Sequence, residues 1–116
     1  VGSPAQPFPA NHPGVLAVGS APPLPAGAVL APGTDITCPA VSGGWALYSG
    51  SSFSAAHVSG LLALLRELDA RAPAGPLRAA LVTEPSGRID TCATLWRQAG
   101  GQRRPCGLAP VGHTPG

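Results

Sequence analysis

Eleven residues near the middle of the chain, 50–60 (GSSFSAAHVSG), do most to constrain its fold. A small-residue turn with two consecutive serines runs straight into an apolar segment, residues 61–68. Val58, Leu61, Leu62, Leu65 and Leu68 fall at helical spacing, which predicts a helix over residues 54–70. Few charges appear before Arg66, as suits a helix buried in a larger body. Gly60 in mid-helix costs about 1 kcal/mol against Ala, so it implies close packing against a neighbouring backbone. A serine at a strand-to-helix junction has two readings. Its hydroxyl lies at the positive end of the helix dipole, where a nucleophile's developing charge is favoured. Serine is also an ordinary N-cap there, and by local pattern alone the cap is the commoner reading.

Short apolar runs and turn residues flank this segment. Residues 1–14 are Pro-rich and read as a loop leading into a strand at 15–18. Residues 21–27 (APPLPAG) form an extended connection, 28–31 a buried strand stopped by Pro32-Gly33, and 36–38 another strand. Gly43-Gly44 signals a turn, and residues 45–49 alternate bulky and small side chains as a strand does. Trp45 and Tyr48 read as core or sheet-face aromatics ahead of cleft-lining ones. Pro73 and Pro76 end the long helix and start a shorter one at 77–81. Asp90 caps a last helix, 91–99, which Gly100-Gly101 terminate. Residues 100–116 lack periodicity and read as a flexible tail. Short strands followed by helices point to an α/β fold with a parallel sheet, whose active sites lie at the carboxyl ends of strands.

Composition limits the partners. At 116 residues the chain is at most one small domain. It is 44% hydrophobic and only 10% charged, so it is expected to bury surface against something else, most simply an N-terminal half of its own domain. The net charge is +2 with no basic stripe, which gives nucleic acid no footprint. The apolar run 61–65 is far too short to span a membrane. Cys38, Cys92 and Cys106 lack metal-ligand spacing, so neither metal nor cofactor is expected. Cys92 and Cys106 form a disulfide that ties down the tail, or all three are buried or free thiols; spacing leaves both open.

The segment GSSFSAAHVSG resembles the nucleophile segment of the subtilisin-like serine proteases, G-T-S-M-A-x-P-H-V-A/S-G. Gly50, Ser52, His57, Val58 and Gly60 match it, Ser51 stands in for Thr, and Ser59 is a permitted alternative. Phe53 replaces Met, Ser54 replaces Ala, and Ala56 replaces Pro. Three more segments agree in order. NHPGVLAVGS (11–20) looks like the family's YPGVIAVGA strand, LAPG (30–33) like its MAPG, and GRIDTCATL (87–95) like the stretch that closes many subtilase domains. The resemblance implies the C-terminal part of a subtilase catalytic domain over residues 1–99, a portion of a parallel-sheet α/β fold around a buried central helix.

By this resemblance Ser52 takes the place of the nucleophile of a serine endopeptidase acting on polypeptide substrates. Serine needs a general base that a third group orients. His57 corresponds to a structural family histidine and lies more than one helical turn past Ser52, while His12 and His113 have no supporting acid. The family's D-S/T-G and H-G-T segments are absent, so the triad Asp and His are expected upstream and the fragment alone is expected to be inactive. The Ser52 N–H is a natural oxyanion donor. The resemblance puts Ser3 where the family's second donor, an Asn, stands; a plain loop serine is the other reading. Loss of that Asn costs roughly 3 kcal/mol of transition-state binding, a magnitude that comes from a subtilisin. The departures at Ser3, Phe53, Ser54 and Ala56 keep an inactive subtilase-like pseudoenzyme or binding module as the alternative. The expected location is secreted or periplasmic.

Overall fold

Four short strands precede three helices: β1 (Val18–Gly19), β2 (Val29–Leu30), β3 (Ile36–Pro39), β4 (Trp45–Tyr48), α1 (Ser51–Leu68), α2 (Ala74–Ala79) and α3 (Thr91–Gln98). The computed structural model describes residues 8–71 and 73–100. Ser3, Cys106, His113 and the tail 101–116 lie outside the described residues.

β1 and β2 pair in parallel, Val18 opposite Val29 and Gly19 opposite Leu30. On the other side of β2, residues 87–89 continue the sheet: Leu30 N–H donates to Gly87 O and Ile89 N–H to Leu30 O. An antiparallel bridge from Thr83 to Ile89 extends it further. The strand expected at 15–18 therefore forms later and shorter, because Val15 is held in a turn by a bond from its N–H to His12 O. β3 and β4 form a separate antiparallel hairpin. Gly43 (φ 94°) and Gly44 (φ 73°) take the left-handed conformation its turn requires, which costs a glycine little.

α1 packs against β1, α2 and α3. Its buried residues, Ser54, Val58, Leu61 and Leu65, form one stripe at helical spacing. Val58 and Leu61 join Val29, Ala31 and Ile89 in the main core, and Leu65 packs with Leu77 in a second cluster. Leu62, Leu81 and Leu95 touch both clusters, so the three helices and the sheet share one apolar interior. The opposite face of α1, including Ala56, Gly60 and Leu64, is exposed in this chain. A Cβ on Gly60 would meet nothing within 4 Å, so the backbone neighbour expected from the sequence is not among the described residues.

Helix boundaries shift from expectation for identifiable reasons. α1 starts at Ser51 rather than residue 54, because Gly50, tied by its N–H to Gly33 O, is already the N-cap. α2 begins at Ala74 behind Pro73, which leaves Pro76 at its third residue. α3 follows the sequence closely. The Asp90 carboxylate accepts from Ala93 N–H at 2.8 Å, an N-cap bond that contributes about 1 kcal/mol. Thr94, fully buried, accepts from Val82 N–H and donates to Asp90 O, which fastens α3 to the sheet extension.

Candidate active site

The start of α1 is fastened to the carboxyl end of β2 by two hydrogen bonds. Gly50 N–H donates to Gly33 O at 2.8 Å, and the Ser54 hydroxyl donates to Ala31 O at 2.8 Å. Between those anchors lie Ser51, Ser52 and Phe53. The Phe53 ring stacks on Tyr48 at the end of β4, with centroids 6.1 Å apart and planes 22° from parallel. Ser49 Oγ, beside this turn, accepts from Asp35 N–H at 3.0 Å and closes the base of the hairpin. The segment that the sequence singles out is therefore held from the sheet and from the hairpin at once.

Ser52 is exposed, and its hydroxyl has no hydrogen-bond partner among the described residues. It does not cap the helix: the N-cap is Gly50, with no side-chain cap bond. The Ser51 and Ser52 amides have no acceptor among the described residues, as the first N–H groups of a helix lack an intrahelical one. No acidic residue lies in the first turn to neutralise the dipole. The arrangement thus offers a free hydroxyl beside unpaired backbone donors, which is the chemistry a developing oxyanion needs. A hollow of about 260 Å³ opens next to it, between the carboxyl end of β1 (Gly19, Ser20), Leu24 and Ser51. Ser51 lines this hollow; Ser52 lies one residue on, about 100° around the helix.

The histidines stand apart from Ser52. His57 lies about 7.5 Å further along the helix axis, and its Nε2 is 3.0 Å from Thr91 Oγ1, where it bridges α1 to the start of α3. His12 Nδ1 accepts from Gly14 N–H within its own turn. No hydrogen bond joins a histidine to Ser52 among the described residues, and no group of three His, Cys, Asp or Glu suited to a metal occurs among them. Trp45 is 73% exposed and Tyr48 36%, so of the core and sheet-face readings only the sheet face remains. Cys38 is a free thiol and Cys92 is disulfide-bonded. No described helix is long and apolar enough to cross a membrane.

Two departures from the family pattern have definite contacts: Phe53 stacks on Tyr48, and Ser54 bonds Ala31 O. Ala56 is exposed. Against the family pattern Ser54 is only a mismatch. Its signal was its position, since Ser54 heads the stripe completed by Val58, Leu61 and Leu65. A polar residue on a buried stripe needs a buried partner.

No family model matches the sequence, and no curated protein matches it. Two solved structures do resemble the fold. The self-cleaved protease domain of PatA superposes with a TM-score of 0.63 at 30% identity, covering 80% of this chain and 44% of that one. The patellamide maturation protease PatA gives 0.57 at 27% identity, covering 79% and 46%. The chain thus spans less than half the length of each. It has a subtilisin-like α/β fold of the kind seen in these protease structures.

Proposed function

We propose that this chain is the C-terminal part of the catalytic domain of a subtilisin-like serine endopeptidase, with residues 1–99 in the domain and Ser52 as nucleophile. One observation carries the reading: an exposed Ser52 hydroxyl and helix-start amides, both without partners among the described residues, at the carboxyl end of parallel strands, in a fold shared with protease domains. A histidine from the N-terminal half of the domain takes the Ser52 proton as Oγ attacks the scissile carbonyl carbon, and an aspartate orients that histidine. The carbonyl electrons move onto oxygen, where the Ser52 N–H stabilises them, with Ser3 as a second donor. Collapse expels the amine with the proton held by histidine, and water then hydrolyses the acyl-serine. The intact Gly50-Ser51-Ser52 turn favours this reading over an inactive relative, which would have little reason to keep the serine.

The same reading assigns the exposed face of α1 to the N-terminal half. Ala56, Gly60 and Leu64 are small or apolar and exposed, and β1 pairs only with β2 among the described residues. Gly60→Leu is expected to leave the helicity of this chain unchanged or higher, because the site is open and Gly is the poorer helix former. In the full-length protein it is expected to lower stability by about 1–3 kcal/mol through overpacking. Circular dichroism of the chain and urea unfolding of the full-length protein check the pair; equal effects in both would remove the assignment. A secreted or periplasmic location agrees with the disulfide at Cys92.

The enzymatic reading is tested by incubating full-length protein with an unfolded polypeptide. Peptide release that a fluorophosphonate stops is expected. A folded full-length protein that releases none would contradict it.

A further inference from the structure

Ser52 sits in a segment that is free at its centre and fixed at its ends. Its hydroxyl has no hydrogen-bond partner among the described residues, yet Gly50, two residues before, and Ser54, two residues after, are both bonded to the loop leaving β2. The Ser54 anchor is the buried one. Ser54 is completely inaccessible, and Ala31, whose carbonyl it meets, is 1% exposed. No other donor reaches the Ala31 carbonyl among the described residues. Gly33 is fitted around this bond: a Cβ there would collide with Ser54 Oγ and come within 2.8 Å of Gly50 O and 2.9 Å of Ser20 Cβ. A side chain at residue 33 would therefore force apart the Ser54 hydroxyl, Gly50 and Ser20, and its absence keeps this junction closed.

From this geometry we infer that Ser54 is a positioning residue for the Ser52 nucleophile. Its hydrogen bond to Ala31 O sets the height and rotation of the first turn of α1 on the end of the sheet. The direction of the Ser52 hydroxyl and of its N–H follows from that turn. Removing the Ser54 hydroxyl strips the Ala31 carbonyl of its donor in a site closed to water, and the turn must shift to recover one. Ser52 moves with it. A displacement of about 1 Å at a reacting atom can cost on the order of 100-fold in rate. This inference rests on the nucleophile role proposed above.

The test uses the full-length protein, below its unfolding transition, and compares it with Ser54→Ala. The quantities read are the rate constant for fluorophosphonate acylation per labelled site, and kcat and KM on a peptide substrate. Ser54→Ala is expected to label to the same final stoichiometry, at a rate lowered roughly 10- to 100-fold, with the loss in kcat rather than KM. Ser54→Cys, which keeps a weak donor, is expected to fall between the two. Should Ser54→Ala fail to fold, the ratio for Ser54→Cys decides. Equal rate constants per site in substituted and unsubstituted protein would overturn the positioning role while leaving Ser52 as nucleophile, whatever the melting temperatures. A folded unsubstituted protein that never labels would overturn both.

Discussion

Replacing Ser52 by alanine is expected to lower the turnover of the full-length protein by roughly 10⁶-fold and to leave its stability within about 0.5 kcal/mol. The two halves of that expectation have different origins. Turnover falls because covalent catalysis through Oγ disappears, and what remains is binding and oxyanion stabilisation. Stability holds because the hydroxyl is exposed, caps nothing and has no partner among the described residues. Alanine is also the better helix former at the second residue of α1. Peptide hydrolysis and thermal unfolding measured on one preparation check both. A large stability loss would mean that Ser52 is held by contacts the structure does not contain.

Leu65→Ala should show the opposite signature. Leu65 has no accessible surface and packs on Leu77, with Leu62, Leu81 and Leu95 around the pair. Truncation removes a central contact between α1 and α2, and the cavity it leaves is bounded by regular helices that cannot readily collapse. A loss of about 3–5 kcal/mol is expected by urea unfolding of the full-length protein. Ser52 lies 13 residues earlier, roughly 20 Å along the helix axis, so acylation per folded molecule should be little changed. A loss below about 1 kcal/mol would show that this end of α1 is not a packed core.

Features governed by local periodicity and capping were legible in the sequence. The apolar spacing from Val58 to Leu65 located α1, Asp90 announced the start of α3, and Gly43-Gly44 marked the hairpin turn. The short parallel strands were placed to within a few residues, because Pro and Gly bracket them. What was not legible depends on partners distant in sequence. The first turn of α1 begins at Ser51 because Gly50 is bonded to Gly33, seventeen positions away, and no local rule reveals that bond. Ser54 looked like a mismatch for the same reason: its acceptor, Ala31, is 23 residues off. Trp45 and Tyr48 read as core or sheet-face aromatics, and the exposure of both excludes the core, because the hairpin that carries them forms a separate sheet. Gly60 pointed to a close neighbour that the described residues do not supply. The same GSSFSAAHVSG segment therefore gave the nucleophile candidate directly, while its anchoring needed coordinates.

The central claim is that Ser52, and not its neighbour Ser51, is the nucleophile. Ser51 lines the hollow beside β1, so the two serines must be told apart by chemistry. The direct measurement is fluorophosphonate labelling of the full-length protein, followed by peptide mapping of the adduct by mass spectrometry. A single stoichiometric phosphonyl group on Ser52, absent from Ser52→Ala, is the predicted result. An adduct on Ser51, labelling that survives Ser52→Ala, or a folded protein that takes no label would contradict it.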